Sequence, residues 1–519
     1  MASRAQPLDP VARAGIGAIG LVLAVTLLPL AAVALAAEGE ARLSASDFAA
    51  IRFTVLQAAL SAGLSCALAV PVARALARRR FPGRGALVTL MGAPFILPVV
   101  VAVFGLLAIF GRAGLLNAVL EAIGLPRIDI FGMTGVVLAH VFLNLPLAVR
   151  LLLSAWARIP AERLRLATAL GFGPGQMERH FHWPVLREVL PGAFAAIFLI
   201  CTTSFAVALI LGGGPRATTV ELAIYQAFRF DFDLGRAALL GLVQVAISAV
   251  AALSVLRLTD VRDLGAGRDR AMPAWPGLGR GAVVLDWAAI ACAALFLVLP
   301  IALVALRGAV ALPGLPGVVW AAAGRSILLA LASAALATLL ALAAAALMQA
   351  GRAARRGVET ASFFGIAVSP LVIGTGLFLL LRPLASPEAL ALPVTGAVNA
   401  VAALPFILRS LSPALAEAQA TQGRLAVSLG MPAWQAWRLA YLPRLARPLG
   451  FGAGLAAALS MGDLGVIALF SVTDTSTLPL EMYRLMGSYR TDDAGGAALL
   501  LLILSLGLFY LFDRAGRAG

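Results

Sequence analysis

Covalent chemistry has little to work with in this chain. All 40 basic residues are arginine, so the 519-residue sequence contains no lysine. A phosphate-binding loop of the Gly-x-x-x-x-Gly-Lys-Ser/Thr kind needs a lysine at the terminal phosphates, and Schiff-base catalysis needs its amine. Both are excluded. Histidine is confined to His140, His180 and His182. The last two stand two residues apart, a spacing that turns them to different sides of a helix, so a solvated or lipid-interface position is expected rather than a shared metal. Cys66, Cys201 and Cys292 lie far apart in apolar runs, with no metal or redox spacing. No metal centre, no cofactor of its own and no catalytic group is expected.

Electrostatic chemistry has one candidate. Asp463 lies within the apolar run 449–471, where an ionisable group is expensive and faces a cavity or a partner. Two readings stay open: it lines a path through the membrane, or it caps or hydrogen-bonds neighbouring helices. His140 also starts an apolar stretch, and it reads better as an interhelical hydrogen-bonding position than as a catalytic one.

The elements that hold these residues occur twice. Arg165-Leu-Ala-Thr-Ala-Leu-Gly171 recurs as Arg424-Leu-Ala-Val-Ser-Leu-Gly430, 259 positions later, and thirteen residues after each glycine stands a proline, Pro184 and Pro443. The same offset pairs Pro146 with Pro405, Arg150 with Arg409, His140 with Asn399 and Ser204 with Asp463. Nearer the start of each half it becomes 272 for Pro98 with Pro370 and 273 for Arg52 with Arg325. The second half has therefore lost about thirteen residues between Gly111–Gly132 and the shorter Arg382–Ala391. Residues 1–262 and 263–519 form two homologous halves.

Composition assigns these halves to a bilayer. With 61% hydrophobic and 13% charged residues, the chain is no soluble globule. Charge-poor runs of spanning length fall near 14–37, 53–73, 86–110, 133–149, 189–211 and 237–256. A second set falls near 282–306, 326–350, 360–381, 391–408, 449–471 and 494–512. The expectation is an all-α membrane protein of about twelve transmembrane helices, six per half. Run 14–37 follows Arg4 and Arg13 but is too long for a cleaved leader, so it is expected to be the first membrane helix. The net charge of +15 alternates from loop to loop, which argues against nucleic acid as a partner. By the positive-inside rule, both termini and the arginine-rich loops are cytoplasmic.

The repeated motif occupies the loops 158–188 and 409–447. Pro160 suits a first helical position, Glu162 complements the dipole of that first turn, and Gly171 or Gly430 ends the helix. A helix-turn-helix elbow is expected in each half, with Ala167 and Ala426 small enough for a partner to approach closely. A pair of such elbows suits a two-fold partner, whereas the simpler reading rests them on lipid head groups.

The spacing from Ala167 through Gly171 to Pro184, and from Ala426 through Gly430 to Pro443, resembles the signature loop of permease subunits of binding-protein-dependent ABC importers, of the type I fold. Arg165 and Arg424 stand where that family commonly has glutamate. Across most of the chain the resemblance is to the fused double permeases of thiamine type. It is carried by Arg78-Arg-Arg-Phe-Pro-Gly-Arg84, Leu97-Pro-Val-Val-Val-Ala-Val-Phe104, Leu138-Ala-His-Val-Phe142, Gly212-Gly-Gly-Pro215, Ala217–Gln226, Met461-Gly-Asp463 and Gly487-Ser-Tyr-Arg490.

The resemblance implies a bacterial inner-membrane subunit with a periplasmic binding protein outside and a separate ATP-binding subunit inside, in two copies, holding ATP and Mg. Glu162, Arg165, Ala167, Gly171, Pro184, Arg424, Ala426, Gly430 and Pro443 would couple it to that ATPase. Asp463, Ser204, His140 and Asn399 are candidates for the path of a small-molecule substrate, and a carboxylate there would suit cationic thiamine. A ferric-iron permease is the runner-up, and an ion-coupled secondary transporter the reading from another class. Glu221, Tyr225 and Gln226 are expected on the external side, either meeting the binding protein or, by preference, capping a re-entrant helix.

Overall fold

The computed structural model describes residues 10–37, 42–92, 96–214, 217–258, 279–470 and 475–518. The boundary between the expected halves at 262 and 263, and Pro215 of the glycine-rich motif, lie outside them. The helices of the first half are α1 (Pro10–Ala36), α2 (Ala45–Arg78), α3 (Arg84–Leu90), α4 (Val99–Phe110), α5 (Leu115–Ala122) and α6 (Met133–Trp156). They continue with α7 (Ala161–Ala169), α8 (Pro174–Met177), α9 (Trp183–Thr202), α10 (Phe205–Leu211), α11 (Val220–Arg229) and α12 (Leu234–Leu258). The second half comprises α13 (Arg280–Ala311), α14 (Gly317–Met348), α15 (Arg352–Ala367), α16 (Pro370–Leu381) and α17 (Pro387–Ser428). After these come α18 (Ala433–Gln435), α19 (Leu442–Met461), α20 (Gly465–Phe470), α21 (Leu478–Gly487) and α22 (Thr491–Ala518). Among the described residues there is no strand, and the chain is an all-α, multi-pass membrane protein.

Among the described residues eleven helical stretches are long and apolar enough to cross a membrane, against the twelve expected. The difference falls on run 360–381, which is two helices: Val368 and Ser369 are extended, and α16 begins at Pro370. A residue before proline avoids the helical region, so the span breaks there, and α16 alone is too short to be counted. Pro98 ends the matching gap before α4 in the first half. Runs 189–211 and 449–471 are also broken, at Thr203-Ser204 and at Gly462–Leu464.

Burial shifts the register of the repeat near its start. Thr54 and Ser326, 272 apart, are both fully or almost fully buried and do the same work. Thr54 Oγ1 accepts the Val220 N–H at 2.8 Å, and Ser326 Oγ accepts the Leu478 N–H at 2.8 Å. Arg52 therefore corresponds to Gly324 and not to Arg325, whose side chain instead donates to the Ser476 carbonyl at 2.8 Å. These two hydroxyls tie short, buried α11 and α21 to the long helices α2 and α14. Thr54→Val or Ser326→Ala leaves one such N–H without an acceptor and should cost about 1–3 kcal/mol, measured as a lower thermal midpoint of the purified protein.

The longer loop of the first half folds into α5. Asn117 Nδ2 donates to the Gly111 and Ile128 carbonyls, both at 2.9 Å, and its Oδ1 accepts the Ile128 N–H at 2.8 Å. One buried amide thus closes the extra residues into a compact loop.

The first helix of each half lies against the other half. Helix α1 packs along α14 and α16, and α13 packs on α22 of its own half and on α2 and α4 of the first. Glycine permits both approaches: a Cβ on Gly105 of α4 would meet the Pro300 carbonyl of α13 at 2.8 Å, and one on Gly376 of α16 would run into the Pro29 carbonyl of α1.

Candidate functional site

Each elbow is terminated by the same hydrogen-bond pair. Gly171 has φ +76° and Gly430 φ +63°, conformations that favour glycine. Phe172 N–H donates to the Ala167 carbonyl and Gly171 N–H to Thr168, at 3.0 and 3.1 Å. Met431 N–H donates to Ala426 and Gly430 N–H to Val427, both at 3.0 Å. These are two Schellman motifs, which satisfy carbonyls the helix leaves open and turn the chain sharply. Pro184 and Pro443 fall in the first turns of α9 and α19.

The two elbows differ in how they are reached. In the first half α6 stops, and Pro160 precedes the separate helix α7. In the second, α17 runs unbroken for 42 residues from its membrane part to Ser428, because the position matching Pro160 is Gln419, which keeps its N–H. The expected separate short helix is absent there.

Ala167 and Ala426 do not face a partner. Both are buried, and Ala167 belongs to a small cluster with Leu164 and Met177, against which Ile159, Phe172 and Phe181 pack. They are small because the second arm of the elbow folds over them. What faces outward instead is a matched apolar pair in each half, Leu166 with Leu170 and Leu425 with Leu429, all more than half exposed. Glu162, Arg165 and Arg424 are exposed beside them.

Beyond each elbow the chain winds as a π-helix, over Glu178–His182 and Ala436–Tyr441. Such turns are rare and tend to mark functional places. The first one buries His182 against the Trp156 ring, 5.2 Å between centroids, so His182 is not solvated as its arginine-rich surroundings suggested. His180 is exposed beside Phe172.

The same turn carries Glu178 into an ion cluster. Glu178 pairs with Arg74 and lies 3.6 Å from Arg78. Arg78 lies 3.7 Å and Arg79 2.6 Å from Asp286 of α13. The cluster joins the end of α2, the first elbow and the opposite half. At the other end of α2, Asp47 pairs with Arg236 of α12 at 2.8 Å.

Ser204 and Asp463 sit at the two helix breaks. Asp463 Oδ1 accepts the Gly465 N–H at 3.2 Å and caps α20, while its Oδ2 accepts nothing from the described residues. His140 is buried in α6 with Nδ1 3.5 Å from Ser61 Oγ of α2. Asn399 of α17 donates to Ser460 Oγ at 3.1 Å, which donates to Ser333 Oγ at 3.0 Å. In both halves these positions make polar contacts between helices.

Glu221 and Tyr225 are buried and Gln226 is exposed, so the first two offer no surface to another protein. Among the described residues, no group of three His, Cys, Asp or Glu could hold a metal. Sequence reasoning missed the π-turns and the ion cluster. The second had a signal in the unusual density of arginine at Arg78-Arg-Arg80.

The chain is 41% identical over 532 residues to "Thiamine transport system permease protein ThiP" of Brucella abortus, covering all of this chain and 98% of the other. The protein of that name from Escherichia coli is 38% identical, with 99% and 98% covered. This chain belongs to the thiamine transport system permease family. A molybdenum transport system permease protein, ModB of Azotobacter vinelandii, is 32% identical over 185 residues, 35% of this permease and 80% of that protein. No protein-family model matches.

Proposed function

We propose that this permease forms the path of a binding-protein-dependent importer that carries thiamine across a bacterial inner membrane, driven by ATP hydrolysed on a separate subunit. The observation that carries this reading is the pair of Schellman-terminated elbows, each presenting two leucines outward at the same repeat position. Two like knobs suit two copies of an ATPase that holds ATP and Mg. A chain without lysine has no phosphate-binding loop to replace that subunit.

The arginine distribution supports an orientation with elbows and both termini in the cytoplasm, and residues 1–262 and 263–519 act as the two moving halves. Their coupling residues are Glu162, Arg165, Gly171, Pro184, Arg424, Gly430 and Pro443, while the buried Ala167 and Ala426 keep the two arms of each elbow close. Energy enters because the partners bind two arrangements of the halves with different affinity. Asp463 and Ser204, at breaks in otherwise spanning helices, belong to the path, since irregular backbone at membrane depth occurs where it lines a cavity or is buried in protein. Asn399 and His140 support those breaks through interhelical hydrogen bonds.

The relatives named above transport thiamine and molybdenum by name, which does not favour the ferric-iron alternative. The test is the permease purified with its cognate ATPase and binding protein. Thiamine-loaded binding protein should stimulate ATP hydrolysis and iron-loaded protein should not. Stimulation by iron alone, or thiamine uptake driven by an ion gradient without ATP, would refute it.

A further inference from the structure

We infer that Glu221 and Asp463 bracket a binding site for an aromatic organic cation at the contact between the two halves. Glu221 is fully buried, and among the described residues no cation pairs with its carboxylate. A buried carboxylate without a counter-charge is costly, and its persistence points to a cation that visits it. The side chain set beside it is Ser369, at the start of α16 in the opposite half. That hydroxyl accepts the Leu371 N–H at 3.1 Å through a lone pair and keeps its own O–H for Glu221, a neutral donor that compensates no charge.

An aromatic strip leads from this carboxylate to the other. Tyr225 stands one helical turn after Glu221, on the same face of α11, and packs edge-on against Phe205 with ring centroids 5.2 Å apart. Phe205 starts α10, directly after the break at Ser204. A Cβ on Gly465 would stand 3.8 Å from Phe205 Cδ1 and 3.7 Å from Asp463 Oδ1, so ring and carboxylate flank one point across the interface. The glycine keeps that point open.

Two carboxylate groups joined by aromatic rings, with no cationic donor beside Glu221, match a fixed positive charge on a flat ring system. Such a ligand needs charge compensation and cation–π contact but offers no strong donor at its charged atom. The site is asymmetric. Asp463 has Ser204 as its counterpart, and Glu481 of α21 is held by Ser476 at 3.1 Å and Arg484 at 3.5 Å. Among the described residues the α11 glutamate has no such charged partner. Because α11 packs on α16 and α20 of the other half, the site is made and unmade as the halves move. Thr54, which anchors α11, stands seven residues inside Asp47 on α2, so the site lies roughly 10 Å below that end.

This inference rests on the proposed importer function, and one experiment separates the two. Thiamine uptake and ATP hydrolysis are measured together in proteoliposomes holding the complete complex with its binding protein. Absence of ATP-dependent thiamine uptake in the wild type would overturn the functional reading. Given that uptake, Glu221→Gln should raise the ATP consumed per thiamine at least tenfold, with stimulated hydrolysis retained, and Glu221→Asp should restore part of the coupling. Asp463→Asn keeps an oxygen to cap α20 and should raise the same ratio at least fivefold. If Glu221→Gln does not assemble, Asp463→Asn decides. An unchanged ratio in Asp463→Asn, or in an assembled Glu221→Gln, overturns the site.

Discussion

Gly171→Val and Gly430→Val are each expected to abolish ATP hydrolysis stimulated by loaded binding protein while the membrane core stays folded. No neighbour lies within 4 Å of a Cβ at either glycine, so the effect is not a clash. It comes from the backbone. With φ at +76° and +63°, an L-residue pays about 1–2 kcal/mol, and a β-branched one is a genuine outlier there. The inexpensive response is to release the turn, which breaks the two hydrogen bonds of the Schellman pair and swings Leu166 and Leu170, or Leu425 and Leu429, out of line. A rigid handle would become a soft one. Stimulated hydrolysis should fall at least tenfold in each variant, with thermal denaturation of the permease alone shifted little, because the first elbow has its own small core around Leu164, Ala167 and Met177. Undiminished stimulation in both variants would sink the coupling role.

Asp286→Ala should be the most damaging single change outside the elbows. Its side chain is 7% exposed, and it stands between Arg78 and Arg79, themselves 10% and 19% exposed. Removing one member of a buried ion pair costs about 3–5 kcal/mol, because the remaining charge is left without compensation. Here Arg79 loses its carboxylate, while Arg78 keeps Glu178 at 3.6 Å. We expect a fall of about 3 kcal/mol, read as a lower midpoint in thermal unfolding in detergent. Adding Arg79→Leu should recover part of it, since the orphaned charge is then removed as well. A midpoint within error of the wild type would show that water already compensates these arginines.

The elements that sequence patterning conveys well are those set by local rules. Glycine at the elbow ends and proline before α4 and α16 speak through backbone geometry, and the long apolar helices through composition. Less was visible where one hydrogen bond decides. A π-turn differs from an α-turn by a single residue of register, and Glu178–His182 has no composition of its own. The break at Asp463 was hidden because Gly462, Asp463 and Leu464 sit inside a run apolar enough to span. The second elbow matches the first at Gly430 but not at Gln419, where the absence of a proline lets α17 continue. Of the proposed cation site, Asp463 stood out by its setting, whereas the sequence placed Glu221 on the external side as a contact or a cap. That they share an interface follows only from how α11, α16 and α20 meet in space.

The exchanged first helices set a timetable for synthesis. Helix α1 emerges early, yet the helices it packs along most, α14 and α16, are complete only once the chain passes Met348 and Leu381. At translation rates of roughly 5–20 residues per second, α1 waits tens of seconds in the bilayer for its binding surface. Carrying both halves on one polypeptide guarantees that the awaited surface arrives beside the waiting helix, and that an asymmetric pair forms instead of two like halves.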